Sequence, residues 1–252
     1  MSDEKYLADP KKRFSSKVEN YVKFRPSYPQ EIIEFLRDKR LLRNDSIIAD
    51  IGSGTGILTE MFLKMGNKVY GVEPNENMRS AAENHLKNYS NFTSINGSAE
   101  ITGLESNSID LITAGQAFHW FRVDETKQEF KRILKPEGYI TLIWNNRRKG
   151  GPFFSGQYEE FILKYGTDYK AVRKNEGNVD KFFEYEKISF YNYQDLDFDG
   201  LKGRLLSVSY IPHEKGPEYT VMINELKTLF DKYQKDGIIR IEYDTEIYYG
   251  QL

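Results

Sequence analysis

The chain has 252 residues, a formal net charge of −2, three histidines and no cysteine. Without cysteine there is no disulfide, thiolate metal site or cysteine nucleophile, and histidines as far apart as His85, His119 and His213 argue against a histidine-rich metal centre. The near-balanced charge disfavours a general nucleic-acid-binding role, and the length accommodates one large α/β domain.

Met1 to Phe14 contains no apolar segment of the secretory type, and no apolar run approaches a membrane span. These features predict a soluble, cytoplasmic protein. Residues 1–45 read as one or two helices outside a sheet, broken at Arg25-Pro26-Ser27-Tyr28-Pro29. Ile47–Ile51 is a buried-strand run that ends in a glycine cluster. Ile57, Leu58, Met61, Phe62 and Met65 then follow helical spacing up to a stop at Gly66. Lys68–Val72 is the next strand. Met78–Leu86 is the next helix, with Asn75 or Asn77 as its N-cap. Strands follow at Phe92–Ile95 and Ile109–Ala114, then a helix over Asp124–Leu134 that stops at Lys135-Pro136-Glu137-Gly138, and a strand over Tyr139–Trp144. Strands alternating with helices imply parallel βαβ units joined by right-handed crossovers. The rhythm then changes, to a helix at Phe154–Tyr165, a strand near Lys187–Tyr193 and helices at Phe198–Ser207 and Tyr219–Lys235. The turn Lys235-Asp236-Gly237 leads into a strand at Ile238–Tyr249.

Asp50-Ile51-Gly52-Ser53-Gly54-Thr55-Gly56 lies between a strand and a helix. Glycines there let backbone approach a ligand closely, and the helix start offers free N–H groups. A P-loop would need Gly-Lys-Ser/Thr at its end, and a dinucleotide loop would need glycine at position 57, where Ile57 stands. A tight turn with no ligand is the remaining alternative. Glu73 ends the second strand, where a carboxylate can accept ribose hydroxyls of either S-adenosylmethionine or a nicotinamide cofactor.

The G-x-G-x-G spacing with an acid two residues ahead resembles motif I of the class I S-adenosylmethionine-dependent methyltransferases, small-molecule (type 11-like) members. Gly97-Ser98-Ala99-Glu100, Leu104 and Ser108–Ile112 resemble the family's G-D-A-E…L-P-F…S-F-D-x-V segment, with Ser98 where the family has an adenine-binding acid. Arg132–Gly138 resembles its R-V-L-K-P-G-G turn. Tyr21–Pro29, Gln116–Phe121 and Gly203–Pro212 resemble further elements of its small-molecule members. The resemblance implies a Rossmann-like, doubly wound, mostly parallel seven-stranded sheet with helices on both faces and the last strand antiparallel. It also implies one methyltransferase domain over 1–252, made of an N-terminal helical lid (1–45), a cofactor-binding core (46–150) and C-terminal strands with substrate-side helices (151–252). The implied cofactor is S-adenosyl-L-methionine, with S-adenosyl-L-homocysteine as product. Its expected contacts are Asp50, Gly52, Ser53, Gly54, Gly56, Glu73, Pro74, Met78, Ser98, Ala99, Glu100, Gln116 and Ala117.

In an open α/β sheet, ligands bind beyond the carboxyl ends of the strands. The glycine loop, Glu73, Ser98, Gln116–Phe121 and Asn145-Asn146 would share that rim, so the aromatic run Phe118-His119-Trp120-Phe121 is expected to wall a ligand pocket. Tyr21, Arg25, Tyr28, His119, Trp120, Asn145 and Arg204 are candidate substrate residues. His119 could serve as base for a hydroxyl acceptor or could simply pack. Arg25, Arg147, Arg148 and Arg204 could each pair with an anionic substrate or be structural. His85 and His213 read as surface residues. The expected acceptor is a carboxylate or hydroxyl oxygen of a small molecule, with no nucleic-acid or membrane partner and a monomer or homodimer as the working form. An S-adenosylmethionine-binding protein without catalysis and a nicotinamide oxidoreductase stay open as alternatives.

Overall fold

The computed structural model describes residues 18–148, 154–166, 179–208, 211 and 218–252. His213, Met1–Phe14 and Ser209, Tyr210 and Pro212 of the late segment lie outside the described residues. In chain order the elements are α1 (Val18–Phe24), α2 (Glu31–Asp38), β1 (Ile47–Ile51), α3 (Ile57–Lys64), β2 (Lys68–Val72), α4 (Glu76–His85), β3 (Phe92–Ile95) and β4 (Ile109–Gly115). A 3-10 turn (Phe118–Trp120) precedes α5 (Val123–Ile133), β5 (Leu134–Arg147), α6 (Phe154–Tyr165), α7 (Val179–Phe182), β6 (Glu186–Leu196), α8 (Phe198–Leu206), α9 (Tyr219–Tyr233) and β7 (Ile239–Gly250).

The sheet order is β3-β2-β1-β4-β5-β7-β6. β1 to β5 pair in parallel, and β7 runs antiparallel to both of its neighbours. The order reverses beside β1, so the crevice past its carboxyl end is the switch point where a ligand fits. Alternate residues of the strands feed two cores. Ala49, Ile51, Ile112, Ala114, Leu142 and Trp144 pack with α5 and α7. Ile48, Val69, Leu111 and Ile143 pack with α2 and α3. A third core at the rim joins α6, α8 and α9 to Ile239, Ile241 and Tyr243 of β7.

Most element positions match the sequence reading within two residues, and two differ for clear reasons. The Lys135–Gly138 turn is absorbed into β5. Leu134 pairs with Ile109 and Tyr139 with Leu111, so Lys135–Gly138 bulge out opposite Asp110. Asp110 holds the bulge by accepting from Lys135 Nζ (2.8 Å) and from Ile47 N–H (2.8 Å). β5 also continues past Trp144 through Arg147, because β7 supplies a pairing partner for every residue there. Asn145 and Asn146 therefore lie within a strand, not after one. Asn75, not Asn77, caps α4 by accepting from Met78 N–H (3.0 Å). Asp236 and Gly237, at φ 52° and 78°, make the primed two-residue turn ahead of β7.

Candidate functional site

Gly52, Gly54 and Gly56 hold φ of 69°, 57° and 85°, the left-handed region open to glycine. A Cβ on Gly52 would come within 2.6 Å of Ala117 Cβ, so glycine is also needed for close approach of the loop to the β4 exit. Gly56 starts α3 under Leu86 and stands outside the cavity linings; its contribution is the turn itself.

Two connected cavities occupy the rim. The outer cleft, about 330 Å³, is lined by Gly54, Glu73, Pro74, Met78, Ser98–Glu100, Ala117 and Trp120–Arg122. The inner cavity, about 30 Å³, lies over Asp50, Ser53, Thr55, Ile57 and Leu58 and beneath Arg25, Pro26, Tyr28, Asn145 and Arg204. Tyr21, Gly52, Gly115 and Gln116 belong to both linings.

The Asp50 carboxylate is the floor of the inner cavity. Its Oδ2 accepts from Thr59 Oγ1 at 2.6 Å, while Oδ1 is buried with no partner among the described residues. Burial raises its pKa to about 7; the Thr59 hydroxyl opposes that rise and the charge of Glu73 adds to it. A buried carboxylate oxygen without a donor calls for a cationic or hydrogen-bonding ligand group. In the outer cleft, Glu73 Oε2 accepts from Gly54 N–H (3.0 Å) and Oε1 from Asn75 N–H (2.8 Å), so the carboxylate is fixed with lone pairs to spare. Burial raises its pKa against those two N–H groups. Glu100 accepts from Arg122 N–H at 2.9 Å. The upward push of burial on its pKa is outweighed by hydrogen bonds from Arg122 N–H and the Ser98 hydroxyl. With its proton committed to Glu100, Ser98 Oγ is left as a hydrogen-bond acceptor at the cleft wall.

The roof is α1 and the segment after it, and side chains from the C-terminal half pin its carbonyls. Gln194 Nε2 donates to Phe24 O (2.9 Å), Asn192 Nδ2 and Asn145 Nδ2 donate to Ser27 O (2.8 and 3.2 Å), and Arg25 Nη2 donates to Ser207 O (3.1 Å). Asn145 Oδ1 in turn accepts from Thr245 and Asn192. Gly203 of α8 lets Phe24 sit against the helix, for a Cβ there would collide with its ring. Tyr28 lies over Gly115 in the same close manner.

Of the expected cofactor and substrate contacts, all but Gly56 and His119 line a cavity; of the other residues expected on the rim, Phe118 and Asn146 do not, and Asn146 donates to Glu246 instead. The aromatic run divides. Trp120 and Phe121 wall the outer cleft, while Phe118 is buried between Phe182, Trp144 and Phe121. His119 packs on Trp120 with ring centres 4.8 Å apart. Arg147 and Arg148 are engaged by Glu159 (2.9 Å) and Asp244 (2.7 Å). His85 is partly exposed beside Glu60. Sequence reasoning missed Thr59 and Arg122. A hydroxyl residue in the first turn after a glycine loop was the available signal for Thr59; nothing local marked Arg122.

A glycine cradle, a second-strand acid and a buried unpartnered carboxylate along one rim define a protein that holds an extended nucleoside-containing cofactor. A family model described as a methyltransferase domain matches residues 49–142. An uncharacterized methyltransferase-like protein of Schizosaccharomyces pombe is 35% identical over 244 residues, covering 93% of each chain. An uncharacterized methyltransferase of the same yeast is 35% identical over 141 residues, 56% of this chain and 55% of the relative, so the chain spans about half of that relative's length. A type II methyltransferase structure from Anaeromyxobacter dehalogenans superposes with TM-score 0.70 at 21% identity, over 90% of this chain and 98% of that one. An S-adenosylmethionine-dependent methyltransferase from Geobacter sulfurreducens, in complex with S-adenosyl-L-homocysteine, superposes with TM-score 0.53 at 16% identity, over 96% and 98%. The chain belongs to the class I S-adenosylmethionine-dependent methyltransferases. The residues present fit that cofactor: Asp50 Oδ1 lacks a donor of the kind an ammonium provides, and the glycine cradle leaves room for close backbone approach.

Proposed function

We propose that this enzyme methylates a small molecule at a hydroxyl or carboxylate oxygen. One observation carries the reading. The inner end of the site is a cavity of about 30 Å³ roofed, among the described residues, by Tyr21, Arg25, Pro26, Tyr28 and Arg204, a size that suits a small acceptor group. The balanced charge supports the same view, since a nucleic-acid substrate draws on a basic surface. We further take the working form to be a cytoplasmic monomer or homodimer whose first 45 residues act as a lid, with 46–150 as the cofactor core and 151–252 as the substrate side.

When bound, S-adenosylmethionine supplies a methyl group on a sulfonium, whose departure leaves a neutral thioether. The chain's own work is then to bind, align and exclude water. Asp50 receives the amino-acid ammonium, Glu73 the ribose hydroxyls and Ser98 the adenine amino group. Gly52, Ser53, Gly54 and the Ala99 backbone shape the path, while Pro74, Met78 and Ala117 give it apolar walls. Arg25 and Arg204 face the inner cavity as cations for an anionic group. A carboxylate acceptor needs no base, and a hydroxyl acceptor releases its proton to solvent water as the O–C bond forms and the C–S bond breaks. His119 acts through Trp120, which it supports from outside the cleft lining. The test is incubation with methyl-labelled cofactor and three separate fractions: small metabolites, total RNA and protein. Label in an ester or ether of the small-molecule fraction is expected. Label confined to RNA or protein would overturn the reading.

A further inference from the structure

Gln116 is the residue at the site whose backbone conformation demands a reason. It holds φ of 57°, a left-handed conformation that is strained for a non-glycine residue and that persists when the surroundings enforce it. The enforcement is visible. Its N–H donates to Ile143 O at 2.9 Å, and its Nε2 donates to the Asn145 carbonyl at 3.3 Å. A carbonyl can only accept, so the amide nitrogen must be the end that faces Asn145. The amide orientation is thus dictated by chemistry, and Oε1 is the end turned away. Oε1 has no partner among the described residues and is not among the buried unpaired atoms. It opens to the cavities that Gln116 walls.

Position gives this oxygen its meaning. Of the four described residues shared by the two cavities, two are glycines, so among the described residues Tyr21 and Gln116 bring side chains to the junction. The nucleoside determinants, Glu73 and Ser98, lie in the outer cleft, and the amino-acid determinant, Asp50, lies in the inner cavity. In S-adenosylmethionine the sulfur joins those two halves. The junction is therefore where the methyl must be delivered, whatever the acceptor.

We infer that Gln116 is an acceptor-positioning residue: its Oε1 takes a hydrogen bond from a donor seated at the methyl-transfer point, and so favours a hydroxyl or amine acceptor over a carboxylate. An O–H or N–H directed at Oε1 leaves a lone pair of the same atom to face the methyl. A carboxylate has no proton to offer and meets the amide oxygen with repulsion. Turning the amide over to welcome it would set Oε1 against the Asn145 carbonyl. Asn145 resists any shift, because its side chain is held by Thr245, Asn192 and Ser27. This inference rests on the methyltransferase reading; within it, it sets the carboxylate aside and admits an amine beside the hydroxyl.

The test needs no acceptor. Sinefungin carries a protonated amine where the cofactor carries its methyl, and S-adenosylhomocysteine carries nothing there. Calorimetry at pH 7.5 on the full chain compares both ligands on the wild type and on Gln116→Gly, a substitution that suits the left-handed backbone and removes the whole side chain, amide included. Gln116→Asn provides a second variant that tolerates the same φ and keeps a shorter amide. The expected result is that Gln116→Gly weakens sinefungin at least tenfold and S-adenosylhomocysteine less than threefold, with Gln116→Asn in between. Equal losses for both ligands, or none for either, would overturn the assignment. Failure of the wild type to bind S-adenosylhomocysteine would instead strike the methyltransferase reading itself.

Discussion

Replacing Asp50 by asparagine should spare the ligand-free protein a loss of stability on going from pH 5 to pH 8 while making it a poorer cofactor binder. Asp50 is 1% exposed, and its pKa stands at about 7 against an ordinary 3.8. Between those values the folded state holds a proton that the unfolded state has released. Stability therefore falls as pH rises from about 4 and levels off above about 7. From pH 5 to pH 7 alone the loss is two pH units at about 1.4 kcal/mol each, on the order of 3 kcal/mol. An asparagine in that place would keep the bond from Thr59 Oγ1 and carry no charge, so the variant escapes this loss. Any fixed cost of its buried NH₂ group is the same at both pH values and cancels in the comparison. For a chain of this size 1 kcal/mol moves the melting temperature by about 2–4 °C, so the melting difference, variant minus wild type, should widen by roughly 6–12 °C between pH 5 and pH 8. Calorimetric scans at the two pH values measure it. Titration with S-adenosylhomocysteine supplies the other half. Wild-type affinity should fall about tenfold per pH unit below about 7, because the ammonium needs the ionised carboxylate, and Asp50→Asn should be weaker and flat. A melting difference that does not change with pH, or a wild-type affinity that is flat from pH 5 to pH 8, would refute the argument.

Other residues give sharper yes-or-no outcomes. Glu73→Ala should weaken S-adenosylhomocysteine binding at least tenfold with the melting temperature preserved, since each charge-assisted bond to a ribose hydroxyl contributes about 1.5–3 kcal/mol; unchanged calorimetric affinity removes Glu73 from the ribose site. Gly203→Ala should push Phe24 away and loosen the roof, so proteolysis near Tyr21–Tyr28 should speed up. In the wild type that cleavage should slow on adding S-adenosylhomocysteine, and a rate indifferent to ligand would argue against a lid. With an acceptor in hand, His119→Ala and His119→Gln should both keep the acid limb of the pH–rate profile, as a packing residue allows. Loss of that limb in both, with kcat down roughly 10²–10⁴-fold and cofactor affinity unchanged, would make His119 the base.

The core of the site was legible because each of its parts is local. The glycine loop, Glu73 and the Ser98–Glu100 segment each sit within a few residues of a strand end, and the topology rule places strand ends on one rim. What escaped the sequence depends on distant pairing. β5 reads as ending at Trp144 from its own residues, and only β7, about a hundred residues on, carries it through Arg147. The same pairing sets Asn145, which lines the inner cavity, to anchor the Ser27 carbonyl as well. Spacing put His119 after β4 but did not show that it packs on Trp120 outside the cavity linings. Nor could it show that Arg147 and Arg148 meet Glu159 and Asp244.

β7 follows β6 in the chain, yet it lies between β5 and β6 in the sheet. Until it is in place, β5 has a bare edge and β6 has no neighbour at all. Asn145, Asn192 and Gln194, which hold the roof, are carried by those two strands. Pairing of β7 with β5 and β6 is therefore what brings the three roof-holding side chains together, while the glycine loop itself rests wholly on the parallel half of the sheet.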